Sequence, residues 1–368
     1  MKVLVVGAGL SGATIANLLS EDNEVTIVES SSMIGGNCHD HRDKNGIMVH
    51  SYGSHIFHTS DQDVWAHLSK FTSFNGYRHK VLANIDGRDV PIPFNFNSIR
   101  MIFSNDSAED IIDRLLKKYQ YGSRIPVTEL SEQNDEVLDH LFDYIYDKVF
   151  LHYTEKQWGA SPEDIPREVL SRVPISIDDD GRYFRDDYEG IPVDGYTAMI
   201  ERMIESENII LRLNTSFKDI GNPDAYDRIF YTGSVDELLD YEYGILPYRS
   251  VRFDIEELKM EHYQENSVIN YPNDHDYTRI HEYKYYLGDE SDMTVIAREY
   301  PEQFVPGKNR RMYPIRTDEN VALYERYIAE AKKRYPNMYF SGRLGDYKYY
   351  DMDKAVARAF EVYREAMQ

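Results

Sequence analysis

One cysteine, Cys38, stands among 368 residues, so an intrachain disulfide is excluded and a reducing compartment is expected. Cations are also scarce: 41 lysines and arginines face 64 acids, a formal net charge of −23. Non-specific nucleic-acid binding relies on clustered cations that displace counterions, and this balance argues against it. A few inward-facing arginines would still suffice for a small anion. No apolar run approaches the roughly eighteen residues of a membrane span, and the opening residues read as a strand, not a signal peptide. Membrane insertion is therefore not expected, and a cytoplasmic enzyme is. His50, His55 and His58 lie close together, but no cysteine or acid stands at ligand spacing around them, which argues against zinc. Cys38 lacks any activating pattern and reads as a packing residue.

What the chain does contain begins at its first residues. Lys2 to Val6 reads as a short buried strand, Gly7, Gly9 and Gly12 as a tight turn, and Ala13 to Leu19 as the helix that follows. A helix N-terminus presents unpaired N–H groups and the positive end of its dipole, which suits a pyrophosphate. Glu24 to Val28 forms the next strand, and Glu29 at its tip can accept hydrogen bonds from an adenosine ribose. Strand, turn, helix, strand and acid together specify a dinucleotide, and the acid disfavours a 2′-phosphate.

Gly35, Gly36 and Asn37 follow directly, a pair of glycines where the chain can pass close to a bulky cofactor. Near the other end, Met338 to Phe340 reads as a strand running into Gly342 and Arg343, and Asp351 opens a helix carrying Ala355, Val356, Ala359, Phe360 and Tyr363 on one face. Contact from both ends of the chain is typical of FAD-binding proteins, so FAD ranks above NAD.

Between these ends the pattern divides. An α/β fold is expected: a Rossmann-like FAD-binding domain from residues 1–75, 195–235 and 315–368, with an inserted helical domain over 97–173. An antiparallel β-sheet domain and mobile loop take 76–96, 174–194 and 236–314. Asp86-Gly87 predicts a hairpin turn, Ala108 to Tyr119 and Asp135 to Phe150 predict amphipathic helices, and Ser161-Pro162 a later helix start. Asn208 to Leu213 and Arg228 to Gly233 read as buried strands of the cofactor sheet. The 31 tyrosines read mostly as core aromatics, with a minority free to stack on a base or donate to phosphate.

Five further strings occur in order: Tyr52 to Thr59, Tyr153 to Gly159, Tyr277 to Ile280, Tyr313 to Ile315, and Gly342 to Met352. With the glycine turn they closely resemble the bacterial UDP-galactopyranose mutase family, over residues 1 to about 360. The resemblance implies an FAD-dependent isomerase, active with reduced FAD, that interconverts pyranose and furanose forms of a nucleotide-diphosphate sugar. UDP-galactose is the first candidate, UDP-N-acetylgalactosamine and dTDP-fucose the others. In the family, flavin N5 captures the anomeric carbon as a covalent adduct and the diphosphate leaves and returns. The product would feed a cell-surface polysaccharide, and a homodimer is the family's expected state.

Residue roles implied by the resemblance follow position by position. His55, beside the flavin, and Arg279, against the diphosphate, are the catalytic candidates; a histidine in an apolar string is otherwise a core residue. Gly7, Gly9, Ser11, Gly12, Glu29, Gly36, Asn37, His55, Ile56, Phe217, Gly342, Arg343 and Met352 would hold the cofactor. Phe150, Tyr153, Thr154, Trp158, Arg182, Tyr183, Phe184, Arg249, Asn270, Arg279, Tyr313, Tyr349 and Asp351 would hold the substrate. Arg249 equally fits a solvated charge or an ion pair, and Asp351 equally fits a helix cap.

One departure stands out. Many members carry an arginine in the mobile loop where this chain has Ser176, followed by Asp178, Asp179 and Asp180. Either Arg182 or Arg185 compensates, with Arg182 expected, or closure uses other contacts. Two other readings share the cofactor domain: an amine-oxidase-like FAD oxidoreductase, and a nucleotide-sugar binding protein that has lost turnover.

Overall fold

The computed structural model describes residues 1–159 and 174–368. Strands Lys2–Val6 and Glu24–Val28 pair in parallel, joined by the helix Leu10–Leu19. They belong to a five-stranded sheet ordered 209–212, 24–28, 2–6, 228–231 and 338–340, parallel throughout. Val3, Leu4 and Val5 at its centre are wholly buried, as expected of a strand covered on both faces. Full burial of each such side chain contributes about 1.5–3 kcal/mol.

The expectation of two buried flanking strands holds for only one. Arg228–Tyr231 lies inside the sheet, but Ile209–Arg212 is its edge, with Ile210 55% and Leu211 37% exposed. A run of apolar residues is silent on whether a second neighbour will arrive. The closing unit forms as read: Met338–Phe340 joins the sheet, and Met352–Met367 packs its buried Val356, Ala359 and Val362 in the same core as Ala13, Ile15 and Ala16 of the first helix.

A second sheet has seven strands, ordered 313–314, 248–258, 294–303, 279–282, 268–270, 81–85 and 88–92. Its pairings are antiparallel except that 268–270 runs parallel to 81–85, so it is mixed where an antiparallel sheet was expected. The exception follows from chain order, because the Asp86-Gly87 hairpin reaches the sheet from a distant part of the sequence. That hairpin pairs Ile85 with Arg88, with Asp86 at φ 50° and Gly87 at φ 79°, the left-handed pair of a tight turn.

Helices cover the hairpin's apolar face. Asn105–Lys118 and Glu136–Ile145 bury Ile111, Ile112, Leu115, Leu138, Leu141 and Ile145 in one cluster with Val81, Ala83, Val90 and Ile92. The second helix does not end at Phe150. It continues through a π-helical stretch, Tyr146–Leu151, into Tyr153 and on to Trp158, where Gly159 stops it at φ 62°. The helix start expected at Ser161 lies outside the described residues. Residues 175–177, read as part of a mobile loop, are buried and tied down: Ile175–Ser176 pairs with Arg124–Ile125.

Candidate functional site

At the carboxyl ends of the parallel strands lies a cavity of about 570 Å³, walled by Val6, Gly7, Val28, Glu29 and Tyr231. Strand order reverses here, since the chain leaves Lys2–Val6 to one side and returns on the other, and this is where open α/β sheets bind ligands. Gly7 turns at φ +104°, and a Cβ on Gly12 would lie 2.0 Å from the Gly7 carbonyl oxygen, so helix and turn meet too closely for any side chain. Glu29 accepts at both oxygens, from Ala8 N–H and Ser31 N–H, each at 2.9 Å. A carboxylate so held keeps lone pairs for two ribose hydroxyls. These features fit a dinucleotide. Each of the thirteen residues assigned to the cofactor lines this cavity except Ile56, which lies on the neighbouring one. Cys38 also lines it, its Sγ 3.5 Å from Met352 Sδ, and burial pushes its thiol up to about 12, consistent with packing and not nucleophilic use.

The neighbouring cavity, about 750 Å³, is built on the seven-stranded sheet. One transverse row supplies its floor: Ala83, Asn270, Arg279, Glu299 and Phe253 are successive cross-strand partners. Residues two apart along a strand share a face, so Val81, Val268 and His281 join the same surface. The wall opposite comes from the interrupted helix. Phe150, Tyr153, Thr154 and Gln157 follow helical spacing along one side of it and all line the cavity, with Trp158.

Arg279 is enclosed. Its Nη2 donates to the Tyr153 hydroxyl, and its Nε lies 3.4 Å from Glu299 Oε2. Burial works against the guanidinium, but the Glu299 carboxylate outweighs it and keeps Arg279 charged. Burial would likewise raise Glu299, yet Arg279, His281 and Thr278 together hold it at about 2. Tyr313 and Tyr349 face each other with ring centroids 5.3 Å apart, and the Arg343 guanidinium lies 4.8 Å over Tyr349. Phe184 stacks on His58 at 3.6 Å, and Tyr183 meets it edge-on. His55 Nδ1 lies 2.8 Å from the Gly53 carbonyl, which only accepts, so Nδ1 carries the proton. Burial lowers its imidazole to about 3, leaving Nε2 as a bare lone pair.

Three buried polar atoms on this wall have no hydrogen-bond partner among the described residues: Gln157 Oε1, Asn270 Oδ1 and Arg279 Nε. Such orphans are costly, and a polar ligand would satisfy them. His55, Arg343, Tyr350, Asp351 and Met352 border both cavities, so the two occupants would touch across this wall.

Of the thirteen substrate candidates, twelve line the second cavity; Arg182 does not. Its guanidinium folds back onto Asp180, and Arg185 is bound to Asp178 and the Gly122 carbonyl. Asp180 and Asp178 thus satisfy the loop's own arginines, while Asp179 pairs with Arg100. Ser176 is buried at 0% exposure, its N–H donating to the Phe94 carbonyl. Arg249 is half-buried and, among the described residues, pairs with no acid: it donates to the carbonyls of Gln157 at 2.9 Å and Lys156 at 3.2 Å, closing the C-terminus of the cavity helix. Asp351 stands at the N-cap of the last helix, but its side chain makes no capping hydrogen bond and it borders the cavities.

Sequence reasoning passed over Ser54, His79, His281 and Glu299, all on the second cavity. A signal existed for Glu299: Val295, Ala297 and Glu299 alternate on one buried face, and an acid on an apolar face asks for a partner.

Fold and cavities fit a dinucleotide-binding α/β enzyme with a second cavity directly against the first. Comparison with known proteins agrees. A family model described as UDP-galactopyranose mutase matches residues 148–349, and one for an NAD(P)-binding Rossmann-like domain matches 5–71. A probable UDP-galactopyranose mutase of Klebsiella pneumoniae is 35% identical, covering 98% of this chain and 93% of its own. A dTDP-fucopyranose mutase of Escherichia coli is 33% identical, covering 98% and 97%. A crystal structure of reduced UDP-galactopyranose mutase superposes with a TM-score of 0.74 at 18% identity, over 100% of this chain and 93% of that one. The chain belongs to the UDP-galactopyranose mutase family, and with it to the isomerases. Membership together with the Rossmann-like domain implies FAD as the dinucleotide.

Proposed function

We propose that the protein interconverts the pyranose and furanose forms of a nucleoside-diphosphate sugar, with reduced FAD as its resident cofactor and UDP-galactose as first donor. The observation that carries this reading is the wall common to both cavities, which would bring a sugar's anomeric carbon against the ring system of the cofactor.

The glycine turn from Gly7 to Gly12 and Arg343 would hold the FAD pyrophosphate, and Glu29 its ribose. When bound and reduced, the flavin would supply the nucleophile for the anomeric carbon. The chain's own residues do the remaining work. Arg279, aided by the Tyr313 and Tyr349 hydroxyls, binds the diphosphate and stabilises the charge that develops as the sugar detaches. Held there, the diphosphate stays within reach for recapture. The Asn270 carbonyl oxygen accepts from a sugar hydroxyl, and the neutral His55 Nε2 offers an acceptor where both ligands meet. Tyr153, Tyr183, Phe184 and Trp158 enclose the base, where stacking is worth about 1 kcal/mol. Arg249 acts indirectly, by fixing the helix that carries Tyr153 and Trp158.

The E. coli relative makes dTDP-fucose the competing donor. Anaerobic turnover of UDP-galactose, UDP-N-acetylgalactosamine and dTDP-fucose, each with reduced and with oxidised flavin, tests the proposal and selects the donor. Pyranose–furanose conversion of one of them only with reduced flavin is expected. Flavin reduction by the sugar nucleotide itself would point to an oxidoreductase and overturn the reading, as would binding without conversion of any donor.

A further inference from the structure

From buried Tyr286 to the floor of the second cavity runs a line of hydrogen bonds that the reaction above does not use. The Tyr286 hydroxyl meets Ser54 Oγ, Ser54 Oγ lies 2.5 Å from His281 Nδ1, and His281 Nε2 lies 2.9 Å from Glu299 Oε2. Tyr286, His281 and Glu299 are 1%, 1% and 3% exposed, and Ser54 is half-buried at the cavity edge. Glu299 is also the cross-strand partner of Arg279.

Chemistry gives this line a direction. An ionised Glu299 only accepts, so His281 must donate from Nε2. Burial keeps the His281 imidazole neutral even beside the carboxylate, which leaves Nδ1 as a lone pair. Ser54 must then donate to Nδ1, and its remaining lone pairs accept the Tyr286 hydroxyl. Every proton points toward Glu299, and the tautomer of His281 is fixed by groups on both sides.

The consequence falls on Arg279. His281 occupies Oε2 of Glu299, and the Thr278 hydroxyl approaches Oε1 at 3.3 Å. With both oxygens engaged, Glu299 meets Arg279 only at Nε, at 3.4 Å and without a hydrogen bond. An unrestrained carboxylate would instead take the guanidinium in the bidentate fork that such pairs prefer, and would consume the donors a diphosphate needs.

We propose that His281 and Ser54 are positioning residues of the donor site: by holding Glu299 away from a bidentate grip, they leave Arg279 open to the diphosphate. The inference rests on the reading of Arg279 as the diphosphate residue. It assigns the line from Tyr286 to Glu299 a role in ligand affinity, not in the chemical step.

Calorimetric binding of UDP and of dTDP to the oxidised holoenzyme tests it without turnover. His281→Leu removes the donor to Glu299 and should weaken binding about tenfold, the scale of one hydrogen bond to a charged group. His281→Gln, whose amide reaches the carboxylate, should recover to within about threefold, and Ser54→Ala, which frees the tautomer, should lose about threefold. In an Arg279→Lys background, which has no fork to quench, His281→Leu should change affinity by less than about twofold. Nitrogen-15 NMR of His281 should find Nδ1 unprotonated and Nε2 protonated.

Unchanged affinity in His281→Leu overturns the proposal, and so does an equal loss in the Arg279→Lys background or the opposite tautomer. Should His281→Leu fail to fold, Ser54→Ala, His281→Gln and the tautomer decide the matter. If no sugar nucleotide turns over while the affinity pattern holds, the mutase reading fails and this inference stands. If neither diphosphate binds, the inference falls with its ligand.

Discussion

Acid should unfold this protein through histidines that burial forbids to charge. His50 and His79 are 1% and 5% exposed, and burial, then the nearby His281, lowers each from an ordinary 6.5 to about 3. Folded, they stay neutral; unfolded, they take a proton below about 6.5. Their contribution to stability is therefore complete above that value and is lost as pH falls toward about 3. At about pH 5.5 each costs roughly 1.4 kcal/mol, against less than about 0.1 kcal/mol near pH 7.5, so the two together remove about 2.7 kcal/mol. That is a large part of a typical margin of about 5–15 kcal/mol. His79 faces Tyr77, Tyr183, Phe184, His58, Arg279 and His281, and its own N–H is accepted by Glu189, whose carboxyl burial raises and which therefore shifts stability the opposite way. Comparing wild type with His79→Gln cancels those other groups. Urea unfolding at the two pH values should give a pH-dependent loss about 1.3 kcal/mol smaller in the variant. Equal pH dependence in both proteins would refute the argument that His79 is held neutral.

Gly12→Ala drives a Cβ to 2.0 Å from the Gly7 carbonyl oxygen, so it should lower stability by about 1–3 kcal/mol and abolish FAD retention, read from flavin absorbance after gel filtration. Arg182→Ala should leave both KM and kcat unchanged, because Arg182 serves Asp180, whereas Arg279→Ala should abolish turnover. Arg249→Ala releases two helix-end carbonyls and should raise KM about tenfold with little change in kcat. Cys38 should resist iodoacetamide at neutral pH in the native protein and react once unfolded, as mass spectrometry would detect.

Local chemistry made the cofactor end of the molecule readable. A glycine turn, a following helix and an acid at a strand tip are fixed by contacts within thirty residues, and Gly7, Gly12 and Glu29 sit where those contacts require. The Asp86-Gly87 hairpin was legible for the same reason. The second cavity depends instead on register. Asn270, Arg279, Glu299 and Phe253 become neighbours only after four strands align, and nothing local to any of them announces it. The family resemblance named Asn270 and Arg279; it passed over His281 and Ser54, whose importance lies in each other. Arg182 stands off the cavity for a physical reason: Asp180, two residues away, takes its charge, while Asp178 and Asp179 pair with Arg185 and Arg100. The π-helical stretch before Tyr153 was equally out of reach, since one extra residue in a turn leaves the apolar pattern almost unchanged.

The wall that carries His55 and Arg343 has a thermodynamic corollary. Where two ligands share a boundary, any coupling between them is reciprocal. Any preference of the sugar nucleotide for one oxidation state of the flavin must reappear, with equal magnitude, as a displacement of the flavin's midpoint potential when the nucleotide binds. A tenfold preference corresponds to about 30 mV for a two-electron couple. Under the proposed function and given such a preference, donor concentration would act as a control on how readily the resting enzyme is reduced, and a cell that supplies more substrate would also shift the catalyst toward or away from its working state.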